Sequence, residues 1–209
     1  MADLLDDLGI NKEDYSEIQE QTAGGSVIEP GVYKMETTEV FVRNTDKGAK
    51  MLHIVAFDKS NPKTVIEYST CIQSGDEKGN KSTYKDKNTG AEKQLPGVIE
   101  LKHFQQAIKL DSLATEVTKT TYNNSEITVK SIPGAVGKSL ALGIKTEDDG
   151  EYQKNIITAF MTVEGENNKG ERIVEKVAEN IARNPIKKPK GGKKETAAAK
   201  APEKVKGWS

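Results

Sequence analysis

The segment VIELKHFQQAIKL, residues 98–110, decides which fold this sequence predicts. Its apolar residues recur at spacings near three and four, which is the pattern of an amphipathic helix. They are Ile99, Leu101, Phe104, Ala107 and Ile108. Pro96-Gly97 stands just before them, where a helix can begin. The fold class then depends on what surrounds this helix.

Three strands are predicted before the helix. Residues 32–43 are rich in Val, Thr, Tyr and Phe, and the turn sequence Asn44-Thr45-Asp46-Lys47-Gly48 follows them. Residues 50–58 are apolar on both alternating faces, so one face can pack on a helix or bind a ligand. The chain turns again at Asn61-Pro62, and residues 64–72 are the third strand candidate.

Strand patterns return after the helix, at residues 126–132, 140–144 and 152–163, and residues 172–183 predict a last helix. Three strands, one helix and three strands, without a βαβ rhythm, predict a mainly β protein. We expect an OB-like closed or partly open β-barrel with one or two helices and disordered termini. An OB-type barrel carries a helix between its third and fourth strands, which is where residues 98–110 lie.

Charge divides the chain into three parts. Residues 1–30 hold eight acidic residues against one lysine and form an acidic N-terminal arm. Residues 184–209 hold eight lysines against two glutamates, in a tail of Lys, Pro, Gly and Ala that has too few apolar groups to order itself. The domain at 31–183 is close to neutral. Charged ends on a neutral domain indicate interaction arms rather than catalysis.

The segment at 75–95 is the first candidate binding site. Lys81, Lys85, Lys87 and Lys93 surround Tyr84 in a stretch too polar for a core. Lysines can meet phosphates while a base stacks on the tyrosine ring, which suits single-stranded nucleic acid. The alternative is a solvated hairpin tip, because lysine-rich turns are common.

Other aromatic and basic residues extend this candidate site. Tyr122 and Tyr152 are candidates for a stacking surface, because each has a lysine nearby, Lys119 and Lys154 respectively. The phenylalanines are instead predicted to be core, namely Phe41, Phe57 and Phe160. The predicted nucleic-acid contacts also include three basic residues of the strands, namely Arg43, Lys50 and Lys130.

Catalytic and metal-binding patterns are missing from the sequence. Residues 134–139, GAVGKS, resemble a phosphate loop, but the motif needs glycine where Ile132 stands, so a turn into a strand is predicted. His53 and His103 have no partners at metal-ligand spacing and are assigned to packing or the surface. Cys71 is the single cysteine and is predicted to be a buried thiol. We therefore expect no catalytic residues, no metal and no cofactor.

The composition of the chain also predicts its cellular compartment. A single cysteine fits a reducing, cytoplasmic setting. No apolar run approaches the roughly 18 residues that a membrane-spanning helix needs, and the acidic N-terminus is unlike a signal peptide. No membrane partner is expected.

Two blocks of sequence together resemble a family of phage single-stranded DNA-binding proteins. The first runs from Lys81-Ser82-Thr83-Tyr84 through Gly90 to Leu95-Pro96-Gly97. The second contains Thr121-Tyr122, Ile127-Thr128-Val129 and Gly137-Lys138-Ser139-Leu140-Ala141-Leu142-Gly143-Ile144. The resemblance covers roughly residues 31–192. It implies an OB-type core that coats single-stranded DNA during phage replication or recombination, in the cytoplasm of an infected host cell.

One feature departs from that resemblance. Many single-strand binders end in an acidic tail that recruits partners, whereas this chain ends in the basic sequence Lys204-Val205-Lys206-Gly207-Trp208-Ser209. The acidic arm at 1–30 is then the candidate contact for phage replication or recombination proteins. Homo-oligomerisation stays open.

The sequence as a whole predicts a non-enzymatic protein that coats single-stranded DNA. The first alternative is a replisome or recombination accessory module that contacts DNA only weakly. The second is a nuclease or nucleotide-handling enzyme, which the lack of a ligand constellation disfavours.

Overall fold

The computed structural model describes residues 27–148 and 153–187. Three long strands form an antiparallel meander: β1 (Gly31–Asn44), β2 (Lys50–Asp58) and β3 (Asn61–Gln73). Alternation of apolar side chains explains β2, whose residues Leu52, Ile54 and Ala56 are buried in the core. The β1–β2 turn and the far end of β3 therefore lie at the same end of the sheet.

A short ribbon and a helix follow this meander. The ribbon pairs β4 (Thr83–Lys85) with β5 (Glu92–Gln94), and helix α1 (Pro96–Ala107) begins directly after it. Pro96 stands in the first turn of the helix, where a missing N–H is tolerated. Gly97 lies against β3 so closely that an added Cβ would stand 2.2 Å from the carbonyl oxygen of Cys71. The sequence Leu95-Pro96-Gly97 therefore starts the helix and presses it onto the sheet.

Four further strands extend the sheet. The hairpin of β6 (Glu116–Tyr122) and β7 (Ser125–Ser131) pairs with β1 at Phe41 and Val42. The strands β8 (Ser139–Asp148) and β9 (Gln153–Met161) form a second antiparallel pair. Residues 31–36 of β1 pair with β8. One edge of β1 thus receives β8 along its first half and β7 near its end.

Helix α2 (Val174–Arg183) and strand β10 (Ile186–Lys187) end the described chain. An added Cβ at Gly143 of β8 would stand 2.7 Å from Val177, so α2 also needs a glycine beneath it. The strand β10 pairs with β8 in parallel at Thr146 and Glu147.

The predicted β-rich fold is confirmed, but the sheet is not closed into a barrel, so the closed form is wrong. Within the described residues, α1 packs against both β3 and β9, and these two strands share no ladder. Rings fill the space between them: the centroids of Phe104 and Phe160 are 5.9 Å apart, and those of Tyr68 and Phe160 are 6.2 Å apart. A helix and three rings therefore stand where a closed barrel would join its edges.

The order of elements is richer than predicted. Both helices are confirmed, while β6, β10 and the ribbon β4–β5 add four strands to the predicted six. Residues 133–135 form a 3-10 turn that leads into β8, as predicted for the GAVGKS sequence. The N-terminal arm up to residue 26, most of the basic tail and Tyr152 lie outside the described residues.

Candidate nucleic-acid interface

Two loops pack together at one end of the sheet because glycine stands at their contact. At Gly75 an added Cβ would stand 2.2 Å from the carbonyl oxygen of Lys47. The same carbonyl accepts a hydrogen bond from the backbone N–H of Asp76 at 2.9 Å. Gly48, with φ +74°, supplies the left-handed residue of the β1–β2 turn. This contact brings Lys47 beside the segment that leads to the ribbon.

Backbone hydrogen bonds hold the ribbon against the end of β3. Ser74 donates its N–H to the carbonyl of Lys81 at 2.8 Å, and Leu95 donates to the carbonyl of Ser82 at 2.8 Å. The ribbon's own turn is organised by Asp86, whose carboxylate accepts the backbone N–H groups of Asn88 and Thr89. The ribbon therefore has a fixed position relative to the meander.

A groove of about 650 Å³ lies between the β1–β2 turn, the end of β3 and the ribbon. Four of the side chains that line it are lysines, which are Lys47, Lys78, Lys81 and Lys85. Its acidic lining residues are Glu77 and Glu92. None of the four lysines forms an ion pair with any residue that the structure describes. Their charges are therefore available to an anionic ligand.

Tyr84 also lines the groove, and 42% of its surface is exposed. On the neighbouring strand it stands opposite Lys93. An exposed ring among lysines offers a stacking plane next to cationic groups. The structure thus brings Lys81, Tyr84 and Lys85 of the predicted site together.

The other two ribbon lysines are placed differently. Lys93 forms an ion pair with Asp86. The hydrogen bond from Lys93 is also the largest of the contributions that lower the pKa of the Asp86 carboxyl. Lys87 lies exposed in the turn of the ribbon and does not line the groove. Neither side chain therefore contributes to the groove in the way that Lys81 and Lys85 do.

Cys71 is not the buried thiol that the sequence predicts. It is half-buried and lines the groove, with its Sγ 3.2 Å from the carbonyl oxygen of Gln73. The reason is its position near the end of β3, on the face of the sheet opposite Ile72, which packs against the core.

A second cluster of rings lies on the face of β1–β2 that points away from the main core. The ring centroids of Phe41 and His53 are 4.6 Å apart, and those of His53 and Tyr122 are 5.1 Å apart. The guanidinium carbon of Arg43 lies 4.5 Å from the centroid of the Tyr122 ring. Arg43 also donates a hydrogen bond from Nη2 to the Tyr122 hydroxyl at 3.3 Å. The predicted residues Arg43 and Tyr122 are therefore in contact with each other.

His53 is buried in this cluster as a neutral ring. The pKa of His53 is lowered from 6.5 to about 4. Burial is the larger cause, and the positive charge of Arg43 is the second. Its Nδ1 lies 2.7 Å from the hydroxyl oxygen of Ser69. His53 therefore packs inside the cluster and His103 is exposed on α1, and both positions fit the prediction of a packing or surface role for the two histidines.

The remaining predicted contacts are dispersed. Lys130 is exposed on β7, opposite Val42 of β1 and Val117 of β6. Lys50 opens β2 and stands opposite Asn44. Tyr152 lies outside the described residues.

Sequence reasoning missed Lys47 and Lys78, which complete the groove. Lys47 had been assigned only to a turn, and its loop is distant in sequence from the ribbon. The signal that could have found Lys78 is its position three residues before Lys81 in the same basic segment.

Residues 27–148 and 153–187 contain neither a metal-ligand cluster nor a membrane-spanning helix. There, no three His, Cys, Asp or Glu side chains converge in a group that could bind a metal ion. The helices of the same part are too short and too polar to cross a bilayer.

No protein-family model matches this chain, and comparison with curated proteins gives no match either.

Proposed function

We propose that this protein binds and coats single-stranded DNA without catalysis, using the groove beside the ribbon. The observation that carries the proposal is the set of four lysines without ion pairs, Lys47, Lys78, Lys81 and Lys85, around the half-exposed ring of Tyr84. Phosphates would meet the lysines, and a base would stack on the ring.

A single strand suits this groove better than a duplex. In a duplex the bases are stacked on each other, so a tyrosine ring cannot reach their faces without unstacking them. In a single strand every base offers a face, and lysine is a point charge that tolerates many phosphate positions. The groove therefore favours a ligand with both features and little sequence preference.

The fold supports the same proposal at a coarser level. Three meander strands, a helix and a later strand pair occur in the order that an OB-type barrel uses, with the helix between the edges of β3 and β9. We take the domain to be an OB-like, open barrel. With the resemblance to phage single-strand binders, this points to phage DNA replication or recombination, with the acidic arm as the contact for partner proteins.

A lysine variant tests the proposal. Changing Lys47, Lys78, Lys81 and Lys85 together to alanine should weaken binding of a fluorescent oligo-dT. Each lost phosphate contact should lower the slope of log affinity against log salt by about 0.7. The quadruple variant should therefore lose about 2.8 from that slope.

The matched control removes the same charge elsewhere. Lys63, Lys138, Lys169 and Lys176 are exposed, do not line the groove, and form no ion pair within the described chain. Their combined change to alanine should leave most of the slope intact. Equal slopes for the two quadruple variants would show that net charge, and not the groove, binds the oligonucleotide.

Cys71 offers a second, local measurement. It is the only thiol of the chain and lines the groove. Saturating oligo-dT should slow its alkylation by a maleimide, and the groove variant should lose this protection at the same DNA concentration. If oligo-dT does not bind the wild-type protein at low salt, the proposal fails and the accessory-module alternative gains.

A further inference from the structure

Arg43 is held in an arrangement that leaves part of its guanidinium unsatisfied. It stacks on Tyr122 and donates one hydrogen bond to the tyrosine hydroxyl. Its Nε is buried and has no hydrogen-bond partner among the residues that the structure describes. A buried donor without a partner has lost its hydrogen bonds to water without replacement, and this penalty is larger when the donor is charged. The free protein would therefore gain from a ligand that lets this group form a hydrogen bond.

The ligand that fits a guanidinium best is a phosphate or carboxylate. Arginine presents a planar fork in which Nε and one Nη can donate to two oxygens of the same anion. Arg43 now uses Nη2 on a neutral phenol at 3.3 Å, which is a long hydrogen bond. An anionic oxygen would be a stronger acceptor for the same group.

Two other aromatic rings, those of His53 and Phe41, pack against the Tyr122 ring. The planes of His53 and Phe41 are nearly perpendicular to it, at 87° and 84°. Arg43 lies over its face. A face that attracts a guanidinium is also a face on which a nucleobase can stack, because both interactions use the π surface.

We propose that Tyr122 is a second base-stacking site, which Arg43 covers in the free protein and uncovers when single-stranded DNA binds. The base takes the ring face, and the guanidinium turns to a phosphate of the same strand, where Nε gains an acceptor. The ligand is thus a nucleotide within a single strand. The inference rests on the proposed function.

The sheet connects this second site to the groove. Arg43 stands opposite Met51, and Met51 stands opposite Cys71, which lines the groove. Neighbouring strands lie about 4.8 Å apart, so the backbone of Arg43 is about 10 Å from that of Cys71. At the stacked B-form spacing of 3.4 Å per nucleotide this distance is about three steps, and an extended single strand needs fewer. A strand that leaves the groove across β2 therefore reaches Tyr122 within a few nucleotides.

His53 reports on the position of Arg43. Among the described residues, the polar and charged groups that face it are Arg43 from β1, Tyr122 from β6 and the Ser69 hydroxyl from β3. The charge of Arg43 is the second cause that lowers the pKa of His53, after burial. When Arg43 turns away to a phosphate, this contribution weakens and the pKa of His53 should rise. The shift can be followed by NMR of the His53 ring in wild-type protein, with and without oligo-dT.

Substitutions in the full-length chain test the two roles separately. Arg43→Gln should lower the salt slope by about 0.7, because one phosphate contact is lost. Tyr122→Leu should weaken oligo-dT binding by about 5- to 150-fold, the range expected for one stacked base. Tyr122→Phe keeps the ring and removes the bond to Arg43, so it should bind at least as tightly as wild type. Lys119→Gln, on the same hairpin and ion-paired with Glu126, is the control and should keep the wild-type slope.

The results separate this inference from the proposed function. If oligo-dT binds and the four groove lysines matter, but Arg43→Gln keeps the wild-type slope and the His53 titration does not move, then Arg43 and Tyr122 form only a packing pair. That result would overturn the inference and leave the groove proposal standing. Absence of any oligo-dT binding by wild type would overturn both. If Tyr122→Leu does not fold, the salt slope of Arg43→Gln and the His53 titration still decide whether Arg43 moves to a phosphate.

Discussion

Buried His53 should make the stability of the folded domain depend on pH between about 4 and 6.5. In the unfolded chain the imidazole takes up a proton near pH 6.5, whereas burial and Arg43 lower its pKa to about 4 in the folded protein. Above pH 6.5 the ring is neutral in both states, and the folded state carries no penalty from it. As pH falls from 6.5 to 4, only the unfolded state gains the proton, so the free energy of unfolding falls.

The size of this effect follows from the two pKa values. One pKa unit is worth about 1.4 kcal/mol, so the drop from 6.5 to about 4 corresponds to roughly 3 kcal/mol. Below about pH 4 both states bind the proton and the loss levels off. Glu39 and Glu67 act in the opposite direction, because burial raises the pKa of both carboxyls and favours the folded state in acid.

Urea denaturation followed by circular dichroism, repeated from pH 4 to pH 7, measures the effect. His53→Gln keeps a polar group beside Ser69 but cannot titrate. The difference in free energy of unfolding between wild type and His53→Gln should therefore rise by about 3 kcal/mol from pH 4 to pH 7. Subtraction removes the contributions of the two glutamates. His103→Gln, at an exposed position of α1, should follow the wild-type curve. A wild-type to His53→Gln difference that stays constant over this range would refute the reasoning.

Two further predictions concern the ring in the groove and the start of α1. Tyr84→Ala should weaken oligo-dT binding by about 1–3 kcal/mol while Tyr84→Phe stays near wild type in the same titration; equal loss in both would assign the effect to the hydroxyl and not to stacking. Gly97→Ala should destabilise the domain by about 1–3 kcal/mol in urea denaturation, since its Cβ would stand 2.2 Å from the Cys71 carbonyl oxygen. Gly134→Ala, whose nearest contact would be Leu110 at 3.8 Å, is the matched control and should be almost neutral.

Elements with a clear apolar period could be predicted from the sequence. The strand at 50–58 has the predicted bounds, because alternate residues such as Leu52 and Ile54 must enter the core. The helix was predicted at 98–110 and is observed at Pro96–Ala107. It ends earlier because Lys109 adopts a positive φ of 53°. The apolar pattern of the sequence does not predict this backbone conformation.

Strand β6 could not be found by the same reasoning. Its sequence, EVTKTTY, is rich in β-branched residues but has no apolar alternation, and its one valine, Val117, is exposed. An edge strand that carries polar groups on both sides gives no period-two signal. Its presence depends on pairing with β7, which does alternate.

The candidate site was predictable where it is local and unpredictable where it depends on tertiary contacts. Lys81, Tyr84 and Lys85 are close in sequence and stay together in the groove. Lys93 is removed from that set because the ribbon's turn brings it to Asp86. Lys47 joins it only because two loops meet at Gly75.

A nearly neutral domain can still bind a polyanion, because screening makes the local charge decisive. At physiological salt the Debye length is about 8 Å, so a phosphate in the groove interacts mainly with the groups that line it. There the four lysines outnumber Glu77 and Glu92, and Glu92 is already engaged by the Thr83 hydroxyl at 2.6 Å. The acidic residues that balance the domain's charge include Glu39 and Glu67, which flank Val55 on neighbouring strands and do not line the groove. The groove can therefore attract phosphate locally, while the rest of the neutral domain provides little general attraction for polyanions.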